Sequence, residues 1–139
     1  MFIFDTDVLS NIVKKEPSKY LLERLKILPR NVQFTTSINI GEIYYGAARS
    51  MQKEKILNAF KEKVFPNIKV LPFESESAEI YGNLKAKHEK IGMTKSEPDL
   101  RIASIAIQYK MVLVTGNIEH FLKIPSLKVE DWISIKPGE

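Results

Sequence analysis

Short apolar segments alternate with stretches of helical periodicity along this chain. Residues 1–4 form an apolar run that leads into Asp5, after which Val8, Leu9 and Ile12 recur at one-turn spacing. Further strand-like segments lie at residues 32–36, 68–73, 111–114 and 129–132. A parallel connection needs a helical crossover, and both faces of the resulting sheet are then covered. We therefore predict an α/β fold with three layers, α/β/α, around a central parallel sheet of four to five short strands flanked by helices.

The helical segments between these strands differ in how far they are buried. Helical patterns are predicted at residues 6–13, 18–28, 37–48, 56–64, 75–91 and 96–109, with a short helix after Asn117. The segment from Ser96 to Tyr109 is apolar almost all round, so it should be the most buried helix. Gly92 is placed to end the helix before it.

Composition restricts the chemistry that is available to the chain. Its 139 residues suffice for one hydrophobic core, so we predict a single domain, 1–139. No apolar run exceeds four residues, which indicates a cytoplasmic protein without a membrane span. The chain has no cysteine, and His88 and His120 are its only imidazoles. We expect His88 to be packed or to lie at an interface, and His120 to lie on the surface, so metal chemistry would have to use oxygen ligands.

Two polar side chains directly follow predicted strands. Asp5 comes after the first strand and Asn117 comes after residues 112–116. Ligands of parallel sheets gather at the carboxyl ends of the strands, so both residues are candidates for a functional site. Asp7 is better placed than Asp5 to cap the helix that follows. Asn117 could equally cap the short helix that begins at Ile118.

Two further acids stand within predicted helices. Glu42 lies in an apolar helix and has no lysine or arginine three or four residues away. Asp99 follows Ser96 in a Ser-x-x-acid pattern, so Asp99 taken alone is interpreted as part of a helix cap. Taken with Asp5 and Glu42, it could complete one pocket in which a cation relieves the repulsion among carboxylates. Oxygen ligands of this kind suit Mg²⁺ or Mn²⁺.

Four segments of the sequence, in this order, resemble the motifs of a known family. They are Phe2-Ile-Phe-Asp5-Thr-Asp7-Val-Leu-Ser10, Ser37-Ile-Asn-Ile-Gly-Glu42-Ile-Tyr-Tyr-Gly46, Pro98-Asp99-Leu-Arg-Ile-Ala103 and Val114-Thr-Gly-Asn117-Ile-Glu-His-Phe121. They look like the successive motifs of PIN-domain ribonucleases, specifically VapC-type toxins of toxin-antitoxin pairs. The closing residues 127–132 are also typical of that family, so the resemblance covers essentially the whole chain.

The resemblance implies a fold, an activity and a set of site residues. The chain would be one PIN-like nuclease domain, a Mg²⁺-dependent endoribonuclease (Mn²⁺ being the alternative ion) that acts as the toxin of a pair. Asp5, Glu42 and Asp99 would hold the metal, and Asn117 would occupy the family's fourth position, where it supplies no charge. Partners would be an RNA substrate, a cognate antitoxin and a second copy of the chain in a homodimer.

In phosphodiester hydrolysis, these acids would hold the divalent ions that the reaction uses. Carboxylate-held divalent ions can activate water and stabilise the leaving oxygen. Asp5 and Asp99 would be direct ligands, and Glu42 would bind a second ion or orient the attacking water. Lysines that precede Asp99, at positions 85, 87, 90 and 95, could hold the RNA backbone.

Two other interpretations of the sequence stay open. An apolar strand that runs into Asp5-x-Asp7 also resembles the nucleophile and acid of haloacid-dehalogenase-like phosphatases. That family expects acids after a later strand, where this chain has Thr115, Gly116 and Asn117. Alternatively, the protein is a non-catalytic binding module that presents Tyr44 and Tyr45 to a partner helix.

Overall fold

A computed structural model describes residues 1–134, so residues 135–139 of the predicted domain 1–139 lie outside it. Five strands form one parallel sheet in the order β3-β2-β1-β4-β5. The strands are β1 (Phe2–Phe4), β2 (Gln33–Thr36), β3 (Lys69–Leu71), β4 (Val112–Val114) and β5 (Val129–Glu130). The helices are α1 (Thr6–Ile12), α2 (Lys19–Ile27), α3 (Ser37–Ala48), α4 (Lys53–Lys63), α5 (Ser75–Lys90) and α6 (Glu97–Tyr109). The predicted α/β/α fold is confirmed.

The central strand β1 fixes where the ends of its neighbours lie. Phe2 is in register with Gln33 of β2 and with Val112 of β4. All strand pairs are parallel, so the residues that follow β1, β2 and β4 emerge at one edge of the sheet. This edge carries Asp5, the start of α3 and the residues after Val114.

The hydrophobic core is divided by the sheet into two clusters. Ile3 and Leu113 pack with α5 and α6, whereas Phe4 and Val114 pack with α1, α2, α3 and α4. This alternation is the two-residue period of a strand that is covered on both faces. Helix α6 contributes six buried residues, which confirms that it is the most buried helix among those described.

The ends of several elements depart slightly from the sequence prediction. Strand β5 stops at Glu130 because the Asp131 carboxylate accepts hydrogen bonds from the backbone N–H groups of Ile133 and Ser134, which turns the chain. Trp132 then packs edge-on against Phe2 and Phe4, with ring centroids 4.9 and 5.6 Å away. The short helix after Asn117 is a 3₁₀ segment, Ile118–Phe121.

The end of α5 lies where the sequence predicts it, just before Gly92. Gly92 follows the last residues of α5 and has φ +73°, a left-handed geometry that glycine adopts without strain.

No helix in the described part of the chain combines the length and the apolar character that crossing a membrane requires.

Candidate active site

Asp5 is held in place by three hydrogen-bond donors. It is 7% exposed and directly follows β1. Its Oδ1 accepts from the backbone N–H of Thr6 and from Nδ2 of Asn39, both at 2.9 Å. Its Oδ2 accepts from the Thr115 hydroxyl at 2.8 Å. The carboxylate is therefore fixed in orientation by groups from α1, from α3 and from the residue after β4.

The prediction that Asp7 caps helix α1 is wrong. Asp5 is the N-cap residue, and its own side chain accepts the Thr6 N–H. The helix begins immediately after the strand, so Asp7 falls in its first turn instead of before it. Asp7 Oδ2 accepts the backbone N–H of Gly116 at 2.8 Å, which ties α1 to the chain that leaves β4.

Glu42 lies on α3, and its partner is a hydroxyl group. Thr6 Oγ1 donates to Glu42 Oε1 at 2.7 Å. Asn39, which is fully buried, donates from Nδ2 to Thr6 Oγ1 at 3.0 Å as well as to Asp5. The roles of Thr6 and Asn39 were not predicted from the sequence. Asn39 could have been noticed because it lies one helical turn before Glu42, on the same side of α3.

Asp99 lies in the first turn of α6, but its side chain is not the cap. Ser96 is the N-cap residue, and its hydroxyl accepts the Asp99 backbone N–H at 3.3 Å. Asp99 Oδ2 lies 3.4 Å from Nδ1 of His120. The predicted surface position of His120 is correct, since half of its side chain is exposed, but its approach to Asp99 was missed. His88 is buried as expected, and its Nδ1 lies 2.8 Å from the Leu84 carbonyl oxygen.

The four candidate residues surround one cavity of about 380 Å³ at the carboxyl edge of the sheet. It is lined by Asp5, Thr6, Asp7, Glu42, Ser96, Asp99, Asn117 and His120. The Asn117 side chain makes no capping hydrogen bond to the 3₁₀ segment that follows it. Its backbone N–H donates to Thr115 Oγ1 at 3.1 Å. Groups from α1, α3, α6 and the segment after β4 therefore meet in one place.

Asp5 and Glu42 hold protons more tightly than free acids do, because the pKa of each carboxyl is raised. Burial raises the pKa of Asp5, and the charge of Asp99 adds to this effect, although hydrogen bonds from Thr115, Thr6 and Asn39 oppose it. Burial also raises the pKa of Glu42, and the charges of Asp5, Asp99 and Asp7 raise it further. A cation in the cavity would favour the ionised forms and would remove this repulsion.

The donor set fits a hard divalent cation. The cavity offers carboxylate, amide and hydroxyl oxygens, which are the ligands that Mg²⁺ and Mn²⁺ prefer. Within residues 1–134, no three carboxylate or imidazole groups are gathered closely enough to surround an ion unaided. Mg²⁺ commonly uses one or two carboxylates and keeps several waters, so such a site needs no complete protein cage.

Comparisons with known proteins identify the family of this chain. The PIN domain family model matches residues 2–126. The ribonuclease VapC2 of Rickettsia felis is 32% identical over 134 residues, which cover 95% of this chain and 98% of that protein. The tRNA(fMet)-specific endonuclease VapC of Salmonella typhimurium is 30% identical and covers 94% of this chain and 97% of its own length.

A solved structure matches the fold along the same length. The structure of VapBC2 from Rickettsia felis, bound to a DNA fragment from its promoter, superposes with a TM-score of 0.86. It is 29% identical and covers 94% of this chain and 98% of its own. The chain thus belongs to the PIN-domain family, within the group of VapC ribonucleases. This membership sets aside the phosphatase interpretation, and Asp7, its proposed acid, instead receives a hydrogen bond from Gly116.

Proposed function

We propose that the protein is a Mg²⁺-dependent endoribonuclease that acts as the toxin of a toxin-antitoxin pair. One observation carries the proposal: Asp5, Glu42, Asp99 and Asn117, which are dispersed over the sequence, line the same cavity at the carboxyl edge of the sheet. Carboxylates that repel one another in a partly buried cavity are costly to a fold, so a cation-dependent function explains why they are gathered.

The proposed roles follow from what each side chain contacts. Asp5, Glu42 and Asp99 would hold the ion together with its bound water molecules. When bound, the ion would activate water and stabilise the leaving oxygen. Asp5 is held by Thr6, Asn39 and Thr115, so its oxygens keep one direction. Such orientation of a ligand by its neighbours commonly decides metal affinity. Asp99, at the start of α6, has His120 beside its carboxylate instead of a set of hydrogen-bond donors.

The lysine hypothesis needs revision in one respect. Lys85 is paired with Glu97, with Nζ and Oε1 2.5 Å apart, so it is already engaged by a carboxylate. Lys95 is adjacent in sequence to Ser96, which lines the cavity, and its Nζ donates at 3.3 Å to the carbonyl oxygen of Glu119, the residue before His120. Lys95 and His120 would therefore meet the RNA backbone at the rim of the acidic cavity.

Inhibition by an antitoxin would use the same cavity. Acids that accept a cation can also accept a lysine or arginine side chain, which would block access to RNA. An apolar groove of about 240 Å³, formed by Ile40, Tyr44, Phe65, Ile68 and Val70 with Ser37, could receive the antitoxin's helix. Tyr45 lies outside this groove, and the Arg49 guanidinium is 5.2 Å from its ring centroid. We further propose that the toxin is a homodimer.

The decisive experiment is RNA cleavage by purified protein. A structured RNA should be cut in Mg²⁺, and EDTA should abolish cutting. Asp5→Asn should also abolish it, while Asp131→Asn, which changes an acid at a turn outside the cavity, should not. Absence of cutting by the parent protein in Mg²⁺ would refute the nuclease proposal, and cutting by a contaminant-free Asp5→Asn protein at more than a tenth of the parent rate would refute the role of Asp5 in it. RNA or partner binding without any cleavage would instead support the binding-module interpretation.

A further inference from the structure

The turn that follows β4 is fastened to the start of α1 by two aspartates. We call residues Thr115, Gly116 and Asn117 the β4 turn. Asp7 Oδ2 accepts the Gly116 N–H at 2.8 Å, and Thr115 Oγ1 donates to Asp5 Oδ2 at 2.8 Å. Asp7 and Gly116 are 109 positions apart in the chain. The contact therefore joins two elements that only the folded state brings together.

Gly116 makes this contact sterically possible. A Cβ atom added to Gly116 would lie 2.8 Å from Asp7 Oδ2 and 3.3 Å from Ile133 Cδ1. The φ angle of Gly116 is outside the left-handed region, so its backbone does not need glycine for conformational reasons. The absence of a side chain serves the close approach of the Asp7 carboxylate.

The two oxygens of Asp7 face the β4 turn. Oδ2 is bonded to Gly116, and Oδ1 lies 3.5 Å from Thr115 Oγ1. Thr115 Oγ1 in turn accepts the Asn117 backbone N–H at 3.1 Å. Asp7 thus contacts the two residues that precede Asn117, Gly116 through Oδ2 and Thr115 through Oδ1.

We propose that Asp7 is a positioning residue for the nuclease reaction, which holds the β4 turn so that Asn117 stays at the rim of the acidic cavity. The inference rests on the proposed function for its catalytic consequence. Its structural part, the dependence of the β4 turn on Asp7, stands independently of that function.

Three variants separate the hydrogen bond that Asp7 accepts from the negative charge that it carries. Asp7→Ala removes the acceptor and the charge. Asp7→Asn removes the charge but keeps an oxygen that can accept the Gly116 N–H. Gly116→Ala keeps the charge but places a methyl group where Asp7 Oδ2 must lie. Asn11→Ala is the matched control, because Asn11 Oδ1 also accepts a backbone N–H at 2.8 Å, from Ser18, without lining the cavity.

At saturating Mg²⁺, kcat for RNA cleavage should fall about 10- to 100-fold in Asp7→Ala and in Gly116→Ala, the range seen when groups that orient a metal site are removed. KM should change by less than about threefold, and Asp7→Asn should keep at least about a third of the parent kcat, because it retains the acceptor. Asn11→Ala should lower the melting temperature but leave kcat unchanged. Equal losses in Asp7→Asn and Asp7→Ala would overturn the inference in favour of a pure charge effect.

Amide hydrogen exchange gives a readout that does not depend on activity. Protection at Gly116 and Asn117 should fall at least about tenfold in Asp7→Ala and Gly116→Ala and should persist in Asn11→Ala and Asp7→Asn. Unchanged protection in Asp7→Ala would overturn the inference whatever the activity. Absence of RNA cleavage by the parent would refute the proposed function, while the exchange result would still decide whether Asp7 holds the β4 turn.

Discussion

The starts of helices α1 and α6 both bring acids to the same cavity, but they hold them differently. At α1, Asp5 receives three hydrogen bonds and Asp7 is bonded to Gly116. At α6, Ser96 caps the helix, and the Asp99 carboxylate has His120 as its neighbour at 3.4 Å. One side of the cavity is therefore a fixed frame, and the other carries a carboxylate with oxygens still available. The proposed function, which binds and releases both ions and RNA, can use both properties.

RNA cleavage should be most sensitive to a change of charge on the fixed side of the cavity, at Asp5. Asp5→Asn puts an amide where three donors converge, so one donor then faces an NH₂ group or the side chain rotates. We expect RNA cleavage to fall by at least about 100-fold, the upper end for groups that only orient metal ligands. Single-turnover kinetics in Mg²⁺ would measure this loss. Retention of more than a tenth of the parent rate would contradict a ligand role for Asp5.

The open side can be tested by stability. In EDTA, Asp99→Asn should be at least as stable as the parent, because one of several mutually repelling charges is removed. In Mg²⁺ at about 100 times its dissociation constant, the parent should gain about 2.7 kcal/mol and the variant much less. Thermal melts in the two buffers would show this. An equal loss of stability in both would remove Asp99 from the metal site.

The cap of α6 supplies the matched control for that experiment. Ser96→Ala removes the hydroxyl that accepts the Asp99 N–H, so the helix loses its cap but the cavity keeps its charge. The free energy of unfolding should drop by about 1 kcal/mol, equally with and without Mg²⁺. A cap effect that depended on Mg²⁺ would mean that Ser96, which also lines the cavity, contributes to ion binding.

The smallest expected effect is the pH dependence that the Glu42 carboxyl produces. Burial and neighbouring charges raise the pKa of Glu42 above its ordinary value of 4.5. The folded protein therefore holds the Glu42 proton more tightly than the unfolded chain does. In EDTA, protonated Glu42 stabilises the fold fully below pH 4.5, and this stabilisation is lost as the pH rises through the raised pKa. Glu42→Gln should flatten this slope in denaturant titrations between pH 4 and about 7. If the free energy of unfolding in EDTA rose with pH over this range, the explanation that burial and neighbouring charges raise the pKa of Glu42 would be wrong.

Magnesium should reverse that trend. Protons and Mg²⁺ compete for the same carboxylates, so Mg²⁺ affinity should rise over the interval in which metal-free stability falls. Calorimetric titrations of the parent and of Glu42→Gln at several pH values would reveal the competition. A Mg²⁺ affinity of the parent that did not vary with pH would place the ion elsewhere.

Local sequence patterns determined the architecture and pointed to two of the acids, Asp5 and Glu42. The apolar runs at β1 and β4, and the nearly continuous apolar surface of α6, require a sheet covered on both faces, because each would otherwise expose its side chains to water. Glu42 was recognisable because its helix offers no cation, and Asp5 because it ends a buried strand. These signals lie within a few residues of the group that they identify.

Only the tertiary structure decided which groups hold these acids in place. Asp7 receives the amide of Gly116, Asn39 donates to Asp5 across 34 positions, and His120 approaches Asp99 from the segment after β4. Such bonds leave no local pattern, since either partner alone could equally cap a helix or face solvent. The sequence therefore specifies the carboxylates, but the parallel register of β1, β2 and β4 determines which neighbours reach them.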